Sequence, residues 1–226
     1  IGYGIHTARI LGDALGYVHG FWIQNRALYY AAISNGQIVV PAGPVGLNGA
    51  QDILLDPQGV LHVVNVEKPG GSWLLNYNAK TSLSEPWENP QTLFDSTYPG
   101  VDYFTNLRII VNQEGQIFVT GAYRGDDAAT WTAFLVERDP NSEWSKPMIL
   151  GQTDYAGRSI RLSLNEDGTP CVLWNGQDTV SGSCEDSVTG RVMGDSYDVE
   201  NARHRLEINQ VEESIAIVYE EIPLEK

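Results

Sequence analysis

Four of the ten arginines in this 226-residue chain share one position of a repeating pattern. Each lies seven residues before the end of a polar turn, as does one aspartate; the five residues are Arg9, Asp52, Arg108, Arg161 and Arg205. A guanidinium group is planar and always charged, so it binds carboxylate or sulfate through two parallel hydrogen bonds. If they converge, these arginines form an anion site; the alternative is that each pairs with an acidic residue and only joins neighbouring elements.

The pattern that contains these residues is a strand, a tight polar turn, a second strand and a later aromatic-rich third strand. Its turns contain Asp or Asn and end with Gly, which favours β-hairpins because Asx residues start turns and Gly accepts a positive φ. They comprise residues 12–16, 56–59, 112–115 and 165–168, with a degenerate fifth copy at 209–212. Spacings of 43 to 56 residues between turn ends fit a four-stranded propeller blade with loop insertions.

The sequence therefore predicts an all-β fold, a β-propeller of four-stranded blades with about four and a half blades in this chain. We expect a single domain over residues 1–226, with blade units at 8–45, 51–95, 106–150, 159–199 and, in part, 202–226. The last unit supplies two strands, so the ring is predicted to be incomplete. Another chain or segment would then complete it, because an open ring leaves sheet edges unpaired.

Charge and hydropathy exclude two classes of partner. The chain has 29 acidic and 14 basic residues, a net charge of −15, and such a surface repels a phosphate backbone. Its apolar stretches stop short of ten residues, so no membrane span is expected. The acidic turns lack the alternating ligand spacing of a calcium loop, and we predict no metal and no cofactor.

The two cysteines fall in one predicted hairpin of the fourth unit. Folding that hairpin about residues 177 and 178 pairs 175 with 180, 174 with 181, and Cys171 with Cys184. Opposed cysteines on antiparallel neighbours lie within disulfide reach, and a disulfide indicates an extracellular or periplasmic protein. Two free core thiols are the alternative.

Aromatic and imidazole side chains also recur at fixed positions. Trp22 and Trp174 both lie six residues after a turn end, where they either stack on a sugar at the mouth of the propeller or pack between blades. His19 and His62 lie three residues after their turn ends. The equivalent positions in the other units hold Phe, Cys and Ile, so these histidines are predicted to be packing residues.

The recurring strand, D/N-x-x-G turn, His-bearing or aromatic strand and W-x-x-P segment (residues 87–90 and 144–147) resemble the sialidase-like, BNR-repeat β-propellers. In that family, arginines from separate blades hold a substrate carboxylate, an Asp serves as acid/base, and a Tyr with a Glu partner is the nucleophile. The resemblance implies that Arg9, Arg108, Arg161 and Arg205 bind an anion and that Asp52 is the acid. A simpler interpretation of Asp52 is that it is the counter-ion of these arginines. Tyr123, or Tyr219 with Glu220, are the candidate nucleophiles. The Asp-box motif of the family, S-x-D-x-G-x-x-W, is absent.

Three functions are compatible with these features. The first is an extracellular propeller that binds a carbohydrate or another small anionic ligand at its axial mouth. The second is a glycoside hydrolase of the sialidase type, and the third is a non-catalytic scaffold in a cell-surface assembly. The arginine register favours the first two over the third, whereas the missing Asp-boxes and the unplaced nucleophile disfavour the second.

Overall fold

The computed structural model describes residues 8–95, 101, 103–125, 131–153, 160–175, 180–182, 202–211 and 214–223. Four strands form the first sheet: β1 (Ala8–Gly12), β2 (Tyr17–Gln24), β3 (Ala27–Ser34) and β4 (Gln37–Asn48). The second contains β5 (Ala50–Leu55), β6 (Leu61–Glu67), β7 (Leu74–Lys80) and β8 (Gln91–Asp95), with a short 3₁₀ turn at Pro69–Gly71. The third contains β9 (Tyr103–Val111), β10 (Ile117–Arg124), β11 (Trp131–Arg138) and β12 (Met148–Thr153).

Two smaller sheets follow along the chain. The fourth unit has β13 (Arg161–Leu164), β14 (Pro170–Asn175) and β15 (Val180–Gly182), and the fifth is a hairpin of β16 (Ala202–Val211) and β17 (Ser214–Pro223). Every sheet is antiparallel with its strands in chain order. The chain is therefore a β-propeller of four-stranded blades, as the sequence predicts. Several boundaries differ: β9 begins at Tyr103, three residues before the expected start of the third unit, and β4 and β12 end at Asn48 and Thr153, three residues beyond the expected ends of their units.

The polar turns close the inner hairpins in the way that their residue types predict. Asp13 Oδ1 accepts hydrogen bonds from the backbone N–H groups of Leu15 at 2.9 Å and Tyr17 at 2.8 Å. Asp56 and Asn112 each accept the same two bonds in the next blades. The glycine at the end of the first turn has φ +83°, a conformation that L side chains rarely adopt.

The hydrophobic core of the molecule lies between blades. In the first seam, Phe21 and Leu28 of the first blade pack in one buried cluster with Ile53 and Leu61 of the second. A second cluster joins the second and third blades, and a third joins the third blade to the fourth unit. Each blade therefore gains most of its hydrophobic stabilisation from its neighbours.

The first blade also has an apolar face that is open to solvent. Val18, Ile33 and Ile38 are direct cross-strand partners, so they share the face that points away from the second blade. On that face Ile10 is 77% exposed and Ile38 is 69% exposed. No helix in the described residues is long and apolar enough to cross a membrane.

Candidate functional site

The repeat position seven residues before the turn end, which we call the register position, holds Arg9 in the first blade and Asp52 in the second. The two residues form an ion pair between the blades. Arg9 forms a salt bridge with Asp52, and Arg9 Nη1 also donates to the carbonyl of Ile53 at 3.0 Å. The Asp52 side chain is only 7% exposed, and its Oδ2 accepts the backbone N–H of Ile109 at 3.1 Å. Asp52 thus ties β1, β5 and β9 together, and these contacts are those of a counter-ion.

The register arginines of the next two units have different surroundings. Arg108 Nη1 donates to the carbonyl of Leu107 at 2.8 Å, and Arg161 Nη1 donates to the carbonyl of Ile160 at 3.0 Å. Within the described residues, neither arginine forms a salt bridge with a carboxylate. Arg108 is half-buried and Arg161 is exposed, and their strands β9 and β13 are in contact. In the part of the chain that the structure describes, two guanidinium groups without a carboxylate partner therefore lie on successive inner strands.

A β-bulge sets the direction of the register position in the second and third blades. The pairing of β5 with β6 shifts between Ala50 and Asp52, and that of β9 with β10 shifts between Thr105 and Arg108. A bulge adds a residue to one strand and reverses the alternation of its side chains. As a result Arg108 lies on the same sheet face as Tyr103, the first residue of β9.

Three aromatic rings run across the ends of the second and third blades. Trp73 contacts Tyr103 edge-on, with ring centroids 4.9 Å apart, and Tyr103 contacts Trp131 edge-on at 6.1 Å. Lys68 Nζ lies 4.8 Å from the Trp73 ring centre, and Arg124 Cζ lies 5.7 Å from that of Trp131. We call Trp73, Tyr103 and Trp131 the aromatic row. Tyr103, at its centre, is 37% exposed.

The two tryptophans that the sequence singles out have different environments. Trp174 is 6% exposed, and its Nε1 donates to the carbonyl of Gln152 at 3.2 Å, in the seam between the third and fourth units. This is the packing alternative. Trp22 is half-buried and stacks on Tyr29 with ring centroids 5.5 Å apart, on the open face of the first blade.

The remaining site candidates belong to the fifth unit, except for Tyr123. Arg205 lies on β16 and pairs through its backbone with Glu220 on β17, next to Tyr219. The side chains of these three residues lie outside the described part of the structure. Tyr123 is half-buried and its ring contacts Phe94 at 5.3 Å, in the seam between the second and third blades.

The cysteine hairpin has the register that the sequence predicts. Trp174 pairs with Ser181 and Asn175 pairs with Val180, as expected from folding about residues 177 and 178. Cys171 is buried on β14. Cys184 lies outside the described residues, so the disulfide stays a prediction.

The structure contains a buried hydrogen-bonded network that the sequence interpretation missed. In the first blade, His19 Nδ1 lies 2.9 Å from the Tyr30 hydroxyl, and His19 Nε2 lies 3.2 Å from Asp13 Oδ2. The carboxylate is acceptor-only when ionised, so Nε2 carries the proton and, in the neutral ring, Nδ1 accepts the Tyr30 O–H. We call this arrangement the Asp–His–Tyr relay. Tyr30 and His19 are both almost fully buried.

The second blade repeats the relay with Asp56, His62 and Tyr77. His62 Nδ1 lies 2.8 Å from the Tyr77 hydroxyl, and His62 Nε2 lies 3.0 Å from Asp56 Oδ2. Burial lowers the pKa of His62 below its usual value, although the hydrogen bond and charge of Asp56 oppose the shift. Burial also raises the pKa of Tyr77 to about 12. In this blade the relay is therefore a neutral histidine held between a phenol and a carboxylate.

A signal for this relay exists in the sequence. The turns that begin with Asp13 and Asp56 are followed by histidines, whereas the Asn112 turn is followed by Phe118 at the equivalent position. An amide side chain is not the anionic acceptor that a histidine N–H prefers, so Asp and His change together. Comparing turn and strand positions as pairs would have identified the network.

The fold of this chain is similar to those of several solved structures, although its sequence is not similar to known families. No family model and no curated protein match the sequence. Among solved structures, an α-L-arabinanase of Penicillium chrysogenum complexed with arabinobiose matches with a TM-score of 0.52 and 11% identity, over 79% of this chain and 60% of that chain. An α-L-arabinofuranosidase of Fusarium graminearum matches with a TM-score of 0.51 and 13% identity, over 75% of this chain and 56% of that one.

A third match extends over almost the whole chain. The endo-arabinase of Bacteroides thetaiotaomicron has a TM-score of 0.53 and 11% identity, over 99% of this chain and 95% of its own. This chain spans about 60% of the length of the Penicillium enzyme. At such identities the likeness establishes the fold, a β-propeller similar to those of glycan-active enzymes.

Proposed function

We propose that this chain is a glycan-binding β-propeller that holds the acidic group of a sugar near its axis through Arg108 and Arg161. The main support is that these two guanidinium groups have no carboxylate partner within the described residues, whereas Arg9 is paired with Asp52. Both lie on inner strands that touch each other. Charge-assisted, bidentate hydrogen bonds to a carboxylate or sulfate would satisfy the remaining donors of both groups.

Two likenesses support carbohydrate as the ligand class. The matched structures are named as an arabinanase, an arabinofuranosidase and an endo-arabinase, one of them complexed with arabinobiose. The repeat pattern resembles that of sialidase-like propellers, which hold a sugar carboxylate with arginines from separate blades. The first likeness favours a carbohydrate ligand and the second favours an acidic group on it. Together they favour an acidic sugar bound at the inner strands of an extracellular or periplasmic protein.

The test is calorimetric titration of the chain with sialyllactose, glucuronic acid and, as the neutral comparison, arabinobiose. Replacing both Arg108 and Arg161 with Ala is expected to weaken binding of the acidic sugars by at least about tenfold, since a hydrogen bond to a charged group contributes about 1.5–3 kcal/mol. Lys146→Ala removes an exposed charge beside the outermost strand of the third blade and serves as the control.

Two results would contradict the proposal. Unchanged affinity in the folded double variant would remove the arginines from the site. A variant that no longer folds would assign them a structural role, and Arg108→Lys with Arg161→Lys then separates the cases. Lysine keeps the charge but not the planar fork, so a bidentate carboxylate site loses affinity in a folded protein.

The second candidate function is glycoside hydrolysis, which the names of the matched enzymes favour. Its test is turnover of fluorogenic sialosides and α-L-arabinofuranosides. Turnover that is lost in Glu220→Gln and kept in Lys146→Ala would support catalysis by the fifth unit. Asp52 is a poor acid candidate because Arg9 and the Ile109 N–H already occupy its two oxygens.

A further inference from the structure

We propose that the aromatic row Trp73, Tyr103 and Trp131 is a second subsite, which carries the following sugar rings of an acidic oligosaccharide anchored at Arg108. The inference rests on the proposed function and adds the kind of ligand, an extended chain in place of a single acidic sugar. The flat faces of aromatic rings pack against the C–H faces of sugars, and charged donors beside them bind the hydroxyl groups.

The first argument is continuity. The row crosses from Trp73, directly before the third strand of the second blade, to Trp131, the first residue of the third strand of the third blade, with edge-on contacts of 4.9 Å and 6.1 Å at Tyr103. The row is therefore a surface formed jointly by two blades. Trp174 shows how this fold treats a ring used for packing, because it is almost fully buried. Tyr103 instead remains 37% exposed, and the two tryptophans of the row are half-buried.

The second argument is the position of the row relative to Arg108. Tyr103 and Arg108 lie on the same strand and, because of the bulge, on the same sheet face. Their partners on β10, Arg124 and Thr120, are four residues apart, and at about 3.3 Å of rise per residue this places Tyr103 and Arg108 about 13 Å apart along the sheet. An oligosaccharide of several units covers that distance and a monosaccharide does not.

The third argument is the cation at each end of the row. Lys68 and Arg124 both lie nine residues after the glycine of their turn, so the pair is a repeated feature of two blades. Each lies over a tryptophan ring, which orients the ring and keeps N–H donors beside it. The Lys68 side chain is exposed, so its ammonium group can bind the carboxylates and hydroxyl groups of an acidic sugar chain.

A fourth observation is an unpaired donor within the row. Trp73 Nε1 is buried, and no residue that the structure describes accepts a hydrogen bond from it. A buried donor without a partner costs about 1–3 kcal/mol and, in native proteins, calls for a specific explanation such as a bound water. Because the atom is shielded from water in this arrangement, a ligand hydroxyl would satisfy it after a shift of the Trp73 ring toward the surface.

The experiment compares the affinity of galacturonic acid with that of its tetramer, measured by titration calorimetry. The unmodified chain should bind the tetramer at least about tenfold more tightly than the monomer, a difference of about 1.4 kcal/mol. Tyr103→Ala should abolish that gain and leave the monomer affinity unchanged. Tyr103→Phe keeps the ring and should keep the gain.

The control is Tyr29→Ala, which removes a half-buried ring from the first blade outside the row. An equal affinity for monomer and tetramer, or an equal loss of both in Tyr103→Ala, would overturn the subsite and leave the anion site intact. Failure of the unmodified chain to bind either sugar would overturn the proposed function together with the subsite. Thermal unfolding of every variant confirms that the protein tested is folded.

Discussion

Asp52 is the residue at which the inner strands of the first three blades meet. Its oxygens contact the Arg9 guanidinium and the Ile109 N–H, and it belongs to β5 itself. A buried carboxylate is stable only when its partners offset the loss of hydration. Because those partners come from the two adjacent blades, one side chain fixes the relative positions of three inner strands.

The first prediction concerns this ion pair. Asp52→Ala is expected to lower the free energy of unfolding by about 3 kcal/mol, because it leaves the Ile109 N–H and the Arg9 guanidinium without their acceptor. The double variant Arg9→Met, Asp52→Leu should lose less free energy of unfolding than the sum of the losses in the single variants Arg9→Met and Asp52→Leu. Urea unfolding of the four proteins measures the coupling, and additive effects would mean that the pair contributes nothing beyond its separate residues.

The Asp–His–Tyr relay gives the second prediction. His62→Phe removes the imidazole partner of both Asp56 Oδ2 and the Tyr77 hydroxyl, at a cost of about 1–3 kcal/mol for a buried group left unpaired. Adding Asp56→Asn reproduces the Asn and Phe combination of the third blade and should recover part of this loss. Denaturant unfolding compares the single and double variants. A double variant less stable than His62→Phe would refute the pairing of turn and strand residues.

The third prediction is the pH dependence of the relay. The pKa of His62 is lowered by burial from 6.5, so in the window just below pH 6.5 the unfolded chain binds more protons than the folded one. The free energy of unfolding therefore falls as the pH decreases through that window. Stability measured from pH 7 downward should decline more steeply in the unmodified chain than in the Asp56→Asn, His62→Phe variant. Equal slopes would mean that His62 does not titrate differently on folding.

At the scale of secondary structure, bulges in the inner strands decide which way the register residues point. In β9 the extra residue lies around Asn106, which has φ +51°, and the chain there approaches Gly121 of β10. A Cβ atom on Gly121 would come within 2.5 Å of Leu107 Cδ2 and 3.1 Å of the Thr105 carbonyl. Glycine is therefore required where the bulge crosses its neighbour.

The fourth prediction follows from that close approach. Gly121→Ala should lower the free energy of unfolding by about 1–3 kcal/mol, because the new methyl group overpacks the bulge. Gly20→Ala is the matched control, since its Cβ meets nothing nearer than the Ala31 carbonyl at 3.9 Å. Chemical denaturation measures both, and similar effects at the two positions would show that the bulge accommodates a side chain.

For the whole molecule, the location of the core between blades has a cost as well as a benefit. Successive blades share buried clusters, so stability grows with each neighbour that is in place. The first blade lacks a covering neighbour on one side, because the face with Ile10 and Ile38 is exposed. A blade with one covered face gains only part of the burial that an interior blade gains.

The fifth prediction concerns the cysteines of the fourth unit. A Cys171–Cys184 bond should contribute about 3 kcal/mol, the value expected for closing a loop of this length. Alkylation of the unfolded, unreduced chain should leave both cysteines unmodified, as mass spectrometry measures, and a reductant should lower the melting temperature. Two alkylated thiols without reductant would establish free cysteines.

The sequence predicts the parts of this structure that depend on local chemistry. Turn residues such as Asp13 and Gly59 favour particular backbone conformations, so they predict hairpins. The hairpin register then follows from the turn. The sequence does not predict that Arg9 is paired with a carboxylate and Arg108 is not, because Arg9 contacts Asp52 of the next blade and Arg108 follows a bulge. Both facts depend on how blades pack and how strands slip, neither of which any short segment encodes.

The two forms of the inner turn have a consequence for the history of such a chain. A blade closed by Asp, His and Tyr and a blade closed by Asn and Phe occupy the same place in successive units. An exchange of one closure for the other involves the adjacent copy, because Asn112 Nδ2 also donates to the carbonyl of Gly168 in the fourth unit at 3.1 Å and the Tyr77 ring contacts Trp144 of the third blade at 5.0 Å. A duplicated blade can therefore change its closure only where the turn or strand of the next copy accommodates the change, so neighbouring copies are expected to diverge together at these positions.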